Sequence, residues 1–138
     1  MKCLKGEAQL HIDILSPEQV LEYTDGFSLP KIYIERDALY RQNWLHLTDD
    51  DYTNDAFVYI MPSETHNISN GIWVSVFEVR DKGKGFGTKC IDYLKSLAQQ
   101  LHKNSLALHA KDKSAKLFYL SNGFNQINDF DDLMLSIW

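Results

Sequence analysis

Residues Asp81 to Lys89 read DKGKGFGTK and contain three of the chain's seven glycines. This stretch follows GIWVSVFEV (Gly71–Val79), a β-branched and aromatic run that predicts a strand. After it, from Phe86 to Leu101, apolar residues recur every three or four positions, which predicts an amphipathic helix of about four turns. A strand, a glycine-rich turn and a helix in this order favour phosphate binding, because the N-terminus of a helix offers unpaired N–H groups.

Two common phosphate-binding loops do not fit the glycine spacing. A Walker loop needs G-x-x-x-x-G-K-[ST], and this spacing does not occur in the chain. A Rossmann fingerprint needs G-x-G-x-x-G near the first strand of a βαβ unit, whereas Gly83, Gly85 and Gly87 alternate with single residues and follow a predicted hairpin. The sequence therefore disfavours a P-loop nucleotidase and a dinucleotide-binding protein.

The loop resembles the coenzyme A loop of the GNAT N-acetyltransferase superfamily, [RQ]-x-x-G-x-[GA], with Lys82 in the first position. About 30 residues downstream the same superfamily has a helix of the form A-x-x-x-Y-x-x-x-G-F. The chain has the residues of this second motif at the matching spacing: Ala115, Tyr119, Gly123 and Phe124. The resemblance extends from Trp73 to Phe124. Two motifs in the right order are much more specific than either motif alone.

The resemblance implies an α/β GNAT acyl-CoA N-acyltransferase fold, with a mixed, mostly antiparallel sheet flanked by helices. We expect residues 1–138 to form one domain, since this length is usual for a single core. The region between Thr24 and Asn54 has a weak pattern, in which Arg36–Leu47 could form a helix. Outside the loop and its helix, the remaining patterns predict strands at Ala8–Leu15, Asp55–Pro62, Ser105–Ala110, Phe124–Ile127 and Leu133–Trp138, and helices at Ser16–Tyr23 and Lys113–Asn122.

The resemblance also implies which residues bind acetyl-CoA. The pantetheine would pair with backbone groups of Val76, Phe77, Glu78 and Val79. The pyrophosphate would lie on the loop, formed by Lys82, Gly83, Lys84, Gly85, Phe86, Gly87 and Thr88. Lys84, Lys89 and Lys116 could supply counter-charge to the phosphates. No metal is expected.

The reaction that the resemblance implies is direct attack of an amine on the thioester, without an acyl-enzyme. A free alkylamine has a pKa of about 10.4, so it is mostly protonated at neutral pH and must lose a proton before it attacks. Glu78 is the candidate base, acting directly or through water, and Tyr119 the candidate proton donor to the leaving thiolate. The five histidines form no motif spacing, although His109 falls at a predicted strand end.

Charge is distributed unevenly along the chain. The net charge is −5, yet Arg80–Lys116 has nine basic and three acidic residues, a net +6 that leaves −11 elsewhere. This asymmetry suits a polyanionic ligand bound by one segment, and the acidic remainder disfavours a nucleic-acid partner. A group of aromatic and acidic residues in the first half would attract a cationic amine: Tyr33, Tyr40, Trp44, Asp49, Asp50, Asp51 and Tyr52. Alternatively, TDDDY is only a helix cap.

The predicted function is therefore transfer of an acetyl group from acetyl-CoA to a primary amine of a small molecule or a protein. One alternative is a GNAT-fold module that binds acyl-CoA without turnover. Another is a toxin-type enzyme acting on aminoacyl-tRNA, which a sequence pI near 5.4 disfavours. We expect a cytoplasmic protein without a membrane partner, because no signal peptide or long apolar run is evident. We also expect a monomer or homodimer. Cys90 falls on the predicted apolar helix face as a buried free thiol.

Overall fold

The computed structural model describes residues 10–14, 44–50, 52–81, 83 and 85–138. Within these residues the strands are β1 (His11–Ile14), β2 (Trp44–Thr48), β3 (Asp55–Pro62), β4 (Gly71–Val79), β5 (Ser105–His109), β6 (Asn125–Gln126) and β7 (Asp132–Ser136). The helices are α1 (Phe86–Gln100) and α2 (Lys113–Ser121), and a short 3₁₀ turn covers Ser63–His66. The helix predicted at Ser16–Tyr23 lies outside the described residues.

The seven described strands form one sheet in the order β1-β2-β3-β4-β5-β7-β6. β1 pairs antiparallel with β2, β2 with β3, and β7 with both β5 and β6, whereas β4 and β5 are parallel. The predicted fold class, an α/β fold with a mixed and mostly antiparallel sheet, is therefore confirmed. The hairpin strands β3 and β4 begin and end at the residues predicted for them.

The chain divides into two compact units. The first contains Met1–Tyr59 and Val76–Cys90, and the second contains Ile60–Ser75 and Ile91–Trp138. The expectation of a single domain stays a prediction. None of the helices in the described ranges is both long and apolar enough to cross a bilayer.

In the first unit, β2 lies between β1 and β3 and is buried along most of its length. Trp44 is inaccessible to solvent, and its ring stacks on Tyr59 of β3 with centroids 4.8 Å apart. The prediction of a helix over Arg36–Leu47 is thus wrong at its C-terminal end, where Trp44–Leu47 belongs to a strand. A short apolar run such as WLHL can form either a helix or a strand. Here it forms a strand because it pairs with β1 on one side and β3 on the other.

Asp55, the first residue of β3, accepts hydrogen bonds from two side chains of the first unit. The Arg80 Nε atom lies 2.8 Å from Asp55 Oδ1, and the His46 Nε2 atom lies 3.0 Å from Oδ2. Burial by itself raises the pKa of the Asp55 carboxyl, but the hydrogen bonds and charges of Arg80 and His46 outweigh burial and lower it overall. The Asp55 side chain, 17% exposed, is therefore held as a carboxylate.

Cys90 is fully buried on α1, as predicted, and is a free thiol. Removal from water penalises the thiolate and raises the pKa of the Cys90 thiol to about 12. This cysteine is thus a packing residue rather than a nucleophile.

The core of the second unit is formed by the later part of α1 together with β5 and β7. Leu94 and Ala98 of α1 are fully buried, as are Leu106 of β5 and Leu133 of β7. The apolar spacing predicted for this helix is confirmed. Burial of such side chains is the main favourable contribution to folding, at about 25 cal/mol per Å² of apolar surface.

The link between β3 and β4 is held by Ser63, whose hydroxyl donates to the Ile68 carbonyl at 2.6 Å and accepts from the Gly71 N–H at 2.8 Å. A Cβ atom on Gly71 would lie 2.5 Å from the Ser105 Oγ atom and 2.8 Å from the Ser63 Oγ atom, so a larger residue at the start of β4 would force these hydroxyls to move. Next to this link, His66 stacks on Trp73 with centroids 3.7 Å apart and planes inclined by 7°.

Candidate active site

The glycine loop of the first unit needs glycine for its backbone conformation. Gly83 has a φ of +85° and Gly85 a φ of +81°, both in the left-handed region that side chains disfavour. No atom lies within 4 Å of where a Cβ would stand on either residue. The backbone turn, rather than crowding, therefore requires these two glycines. Lys82 and Lys84 lie outside the described residues.

α1 begins directly after this turn. Phe86, its first residue, is buried and anchors the start of the helix, whereas Thr88 and Lys89 are exposed and Gly87 is half-buried. The first N–H groups of an α-helix have no acceptor within the helix and carry the positive end of its dipole. The first turn of α1 therefore presents N–H groups that a bound anion could accept from.

β4 runs into this loop and extends beyond its register with β5. That register covers Gly71–Val74 of β4, and β4 continues to Val79. Along this continuation, Val76 and Glu78 are buried, while Phe77 and Val79 are half-buried. Glu78 is only 6% exposed, so this carboxyl-bearing side chain is enclosed by protein rather than standing free in solvent at the strand end.

Tyr119 belongs to the second unit and lies near the C-terminal end of α2. Its side chain is 7% exposed, with the rings of Phe118 and Phe124 at centroid distances of 5.4 and 5.6 Å. α2 begins with a cap in which Asp112 Oδ1 accepts the Ala115 N–H at 2.8 Å, and ends before Gly123, whose φ is +94°. The ring of Tyr119 is therefore fixed by packing at the end of a well-defined helix.

Lys116, one turn earlier on α2, already has an anionic partner. Its Nζ atom lies 2.9 Å from Asp131 Oδ1, and the Lys116 side chain is 29% exposed. The pair lies in a groove of about 390 Å³ in the second unit, lined by two acids, two lysines and two leucines: Asp112, Lys113, Lys116, Leu117, Leu120 and Asp131. Any phosphate that contacts Lys116 must compete with a carboxylate.

Of the aromatic and acidic residues predicted to meet the acceptor, those that the structure describes lie in different surroundings. Asp49 accepts from the backbone N–H groups of Thr53 and Asn54 at 2.8 and 3.1 Å, so it caps the turn between β2 and β3, whereas the alternative interpretation of TDDDY predicted a helix cap. Trp44 is buried, and Tyr52 is 68% exposed and stacks on His11 at 4.6 Å. Asp50 is exposed, while Tyr33, Tyr40 and Asp51 lie outside the described residues.

One group of polar residues in the second unit escaped prediction. The His109 Nδ1 atom at the end of β5 lies 3.0 Å from Asp132 Oδ1 on β7, and Asn128 Nδ2 donates to Asp132 Oδ2 at 2.8 Å. Only the strand-end position of His109 could be predicted, because its partner is 23 residues away and is brought near by the β5–β7 register. In the described ranges no three His, Cys, Asp or Glu side chains form a group that could bind a metal ion.

The predicted site residues thus fall into two groups. The β4 residues and the glycine loop belong to the first unit, and Lys116 and Tyr119 belong to the second. Among the described residues, the helix that follows the glycine loop and the helix that ends before Gly123 have the positions that the two motifs predict, and the roles of the site residues stay predictions.

No protein-family model matches the chain, and no curated protein matches it. Solved structures do match. Tetrahymena GCN5 is 13% identical, with a TM-score of 0.67 over 94% of this chain and 96% of that chain. The Escherichia coli ribosomal-protein-S18-alanine N-acetyltransferase is 15% identical, with a TM-score of 0.64 over 94% of both chains. PaiA N-acetyltransferase from Thermoplasma acidophilum, solved in complex with coenzyme A, is 16% identical, with a TM-score of 0.55 over 91% and 96%.

Because the identities are only 13 to 16%, these similarities establish the fold alone. The chain has the fold of the GNAT N-acetyltransferases, as the two motifs predicted.

Proposed function

We propose that this protein is an acetyl-CoA-dependent N-acetyltransferase that acetylates a primary amine. The observation that carries the proposal is the loop in which Gly83 and Gly85 adopt positive φ immediately before α1, within a GNAT fold. A neighbour solved with coenzyme A supports the choice of ligand. The net +6 of Arg80–Lys116 supplies the charge that a cofactor with several phosphate groups needs.

In the proposed complex, the pyrophosphate accepts hydrogen bonds from backbone N–H groups of the loop and of the first turn of α1. The loop lysines Lys82 and Lys84, together with Lys89, contribute charge-assisted contacts. The pantetheine lies along Val76–Val79, the part of β4 beyond its register with β5. Lys116 joins the site only if a phosphate displaces Asp131.

The proposed reaction proceeds by direct attack. The amine nitrogen, once it has lost its extra proton, attacks the thioester carbon; the C–N bond forms and the C–S bond breaks. Tyr119 donates a proton to the departing sulfur, and the phenolate takes back the proton that the new amide nitrogen loses. Glu78, an enclosed carboxyl on β4, acts on the acceptor ammonium as base, directly or through water, or as its counter-charge.

The acceptor class is a primary amine of a small molecule or of a protein. The acidic remainder of the chain favours a cationic acceptor. The neighbour named as an N-acetyltransferase of a ribosomal protein supports inclusion of protein N-termini among the candidates.

Ligand-induced thermal stabilisation tests the cofactor, since a ligand that binds only the folded state raises the melting temperature. Acetyl-CoA and CoA at 100 times their Kd should stabilise the fold by about 2.7 kcal/mol, and ATP and NAD should not reproduce this. Stabilisation by ATP or NAD without stabilisation by acetyl-CoA would refute the proposal.

Thiol release from acetyl-CoA then tests turnover. The acceptors are a peptide with a free N-terminus, the same peptide acetylated at its N-terminus but containing lysine, spermidine and an amino sugar. Thiol release with at least one of these amines supports the proposal that the protein is an active acetyltransferase. Binding of acetyl-CoA without release with any of them would instead support a module that binds acyl-CoA without turnover.

A further inference from the structure

Four exposed apolar side chains of the second unit lie on two neighbouring elements, α2 and the turn between β6 and β7. Leu117 and Leu120 lie about one turn apart on α2, and Ile127 and Phe130 belong to the β6–β7 turn. The ion pair described above joins these two elements. Single exposed apolar residues are ordinary, whereas several on adjoining elements indicate an interaction surface.

The groove lined by Leu117 and Leu120, the α2 groove, is large enough to hold an aromatic ring. Its volume is about 390 Å³, whereas an apolar cavity of about 150 Å³ already holds benzene. The two leucines supply apolar surface, and the charges of Lys116 and Asp131 in the groove are paired at 2.9 Å. A ring that enters the α2 groove therefore meets leucine side chains and need not separate these two charges.

Phe130 stands beside the α2 groove on a fixed backbone. It immediately precedes Asp131, which lines the groove, and its side chain is 77% exposed. Asn128 Oδ1 accepts the backbone N–H groups of Phe130 and Asp132 at 2.9 and 3.2 Å, and the Asp131 carbonyl accepts the Ala110 N–H at 2.9 Å. Because the backbone is ordered in advance, docking of the Phe130 ring would cost little ordering entropy.

A projecting ring and a groove that lie side by side fit a second copy of the same chain. A rotation by 180° about an axis between them places Phe130 of each copy in the α2 groove of the other, so both contacts form at once and the assembly closes. If the ring and the groove were far apart, the same contact would join copies head to tail into open chains. Their adjacency therefore favours a two-fold dimer.

The charges beside the ring and beside the groove are complementary. Asp129, next to Phe130, and Lys113, in the α2 groove, are both exposed. Neither has a hydrogen bond or an ion pair with another residue in the described part of the chain. Insertion of Phe130 would bring the Asp129 carboxylate of one copy towards the Lys113 ammonium of the other. Opposite charges in such positions favour this partner over one with a basic anchor.

We propose that the protein forms a two-fold dimer in which Phe130 of each copy fills the α2 groove of the other. Asp129 and Lys113 pair across the interface, twice in each dimer. This inference goes beyond the function proposed above and does not depend on it, because the surface that it uses is formed by α2 and the β6–β7 turn of the second unit alone.

Sedimentation velocity of the whole chain without cofactor tests the dimer. Between about 1 and 300 µM, a range suited to a small interface, the mass should rise from that of one chain, 16.0 kDa, towards twice that value. Phe130→Ala should raise the dimer Kd at least about 30-fold, as loss of a central aromatic anchor does. Leu101→Gln is the matched control, since Leu101 is an exposed leucine of the same unit outside the groove and the turn, and it should leave the Kd unchanged.

A mixture of two variants tests the reciprocal contact. A groove variant, Leu117→Gln with Leu120→Gln, should associate as weakly as Phe130→Ala when each is alone, because neither dimer has an intact ring-in-groove contact. Mixed together they should associate more strongly than either does alone. The heterodimer keeps one intact contact, with Phe130 from the groove variant and the groove from Phe130→Ala.

A charge exchange tests the proposed pairing of Asp129 with Lys113. Lys113→Glu should raise the dimer Kd about fivefold, and the addition of Asp129→Lys to that variant should restore it. All the replaced side chains are exposed, so the melting temperatures of the variants should stay close to that of the wild type. The restored dimer also shows that the charge variants are folded.

The inference is overturned if the wild type has the mass of one chain throughout the concentration range. Equal weakening by Leu101→Gln and Phe130→Ala would overturn it too, since association would then be a general effect of exposed apolar residues. If the two variants associate no better together than apart, the contact is not reciprocal and the two-fold arrangement is wrong. None of these outcomes bears on the proposed acetyltransferase activity, which thiol release tests separately.

Discussion

The guanidinium of Arg80 donates two hydrogen bonds to the carboxylate of Asp55, from Nε to Oδ1 at 2.8 Å and from Nη2 to Oδ2 at 3.2 Å. The Arg80 backbone N–H also donates to the Asp55 carbonyl at 3.0 Å. The first residue of β3 and the residue that follows β4 are thereby tied together, one residue before the glycine loop begins. The backbone that leads into the loop is therefore fixed at Arg80.

Asp55→Asn should destabilise the protein in a pH-dependent manner. The folded pKa of Asp55 is lowered, so its contribution is present above the unfolded pKa of about 3.9 and is lost as the pH falls through the folded value. The expected loss in free energy of unfolding at pH 7 is about 1.5 to 3 kcal/mol, the range for hydrogen bonds to charged groups. Urea unfolding at pH 7 and at pH 3 measures it, with Asp50→Asn as the exposed control. An equal loss at both pH values would contradict the prediction.

Gly85→Ala should weaken CoA binding by about tenfold, because a left-handed alanine costs roughly 1 to 2 kcal/mol and the loop will relax to avoid it. Gly123→Ala is the matched control, since it imposes the same backbone strain at the end of α2, outside the loop. It should lower the melting temperature and leave the Kd of CoA unchanged. Calorimetric titration with CoA distinguishes the two variants, and equal Kd values for both would argue against the loop as the phosphate site.

Tyr119→Phe should lower kcat about 100-fold, because the leaving thiolate loses its proton donor. The phenyl ring keeps the packing against Phe118 and Phe124, so the Kd of acetyl-CoA and the melting temperature should hardly change. Tyr93→Phe provides the control: Tyr93 is half-buried on α1, and burial raises the pKa of its phenol. If the two variants turn over equally fast, Tyr119 has no role in proton transfer.

Asp131→Asn should tighten the binding of CoA by up to about fivefold, since an exposed ion pair is worth at most about 1 kcal/mol and its loss releases Lys116 for the cofactor. Dephospho-CoA lacks the 3′-phosphate of CoA. If Lys116 contacts that phosphate, Asp131→Asn should tighten the binding of CoA but not of dephospho-CoA. Lys113→Met, on the same groove, separates a specific contact from a general effect of charge. No gain for either ligand would remove Lys116 from the site.

Local patterns in the sequence were sufficient for the part of the fold that bears the loop. The apolar spacing of α1 follows the period of a helix, and the β-branched runs of β3 and β4 are typical of strands. Each of these patterns arises within a single element. The spacing of Gly83 and Gly85 likewise reflects two backbone positions that adopt positive φ. These features could be predicted because no distant partner is needed to produce them.

Features that depend on distant partners could not be predicted. Trp44–Leu47 becomes a strand because β1 and β3 pair with it, and its own pattern does not specify this. The side chains of Asp55 and Arg80 are 25 residues apart, and those of His109 and Asp132 are 23 apart. In both cases neighbouring strands of the sheet bring the partners together, so only the structure shows that Arg80 contacts Asp55 and that His109 contacts Asp132.

The stack of His66 on Trp73 has a practical consequence for solution work. The three tryptophans occupy different surroundings: Trp44 is fully buried, Trp73 is covered by an imidazole, and Trp138 is 70% exposed. Because the imidazole of His66 covers one face of the indole, loss of the stack should change the emission of Trp73, and His66→Gln should abolish that change. The β3–β4 link thus contains its own optical reporter, with which its integrity can be followed without a label.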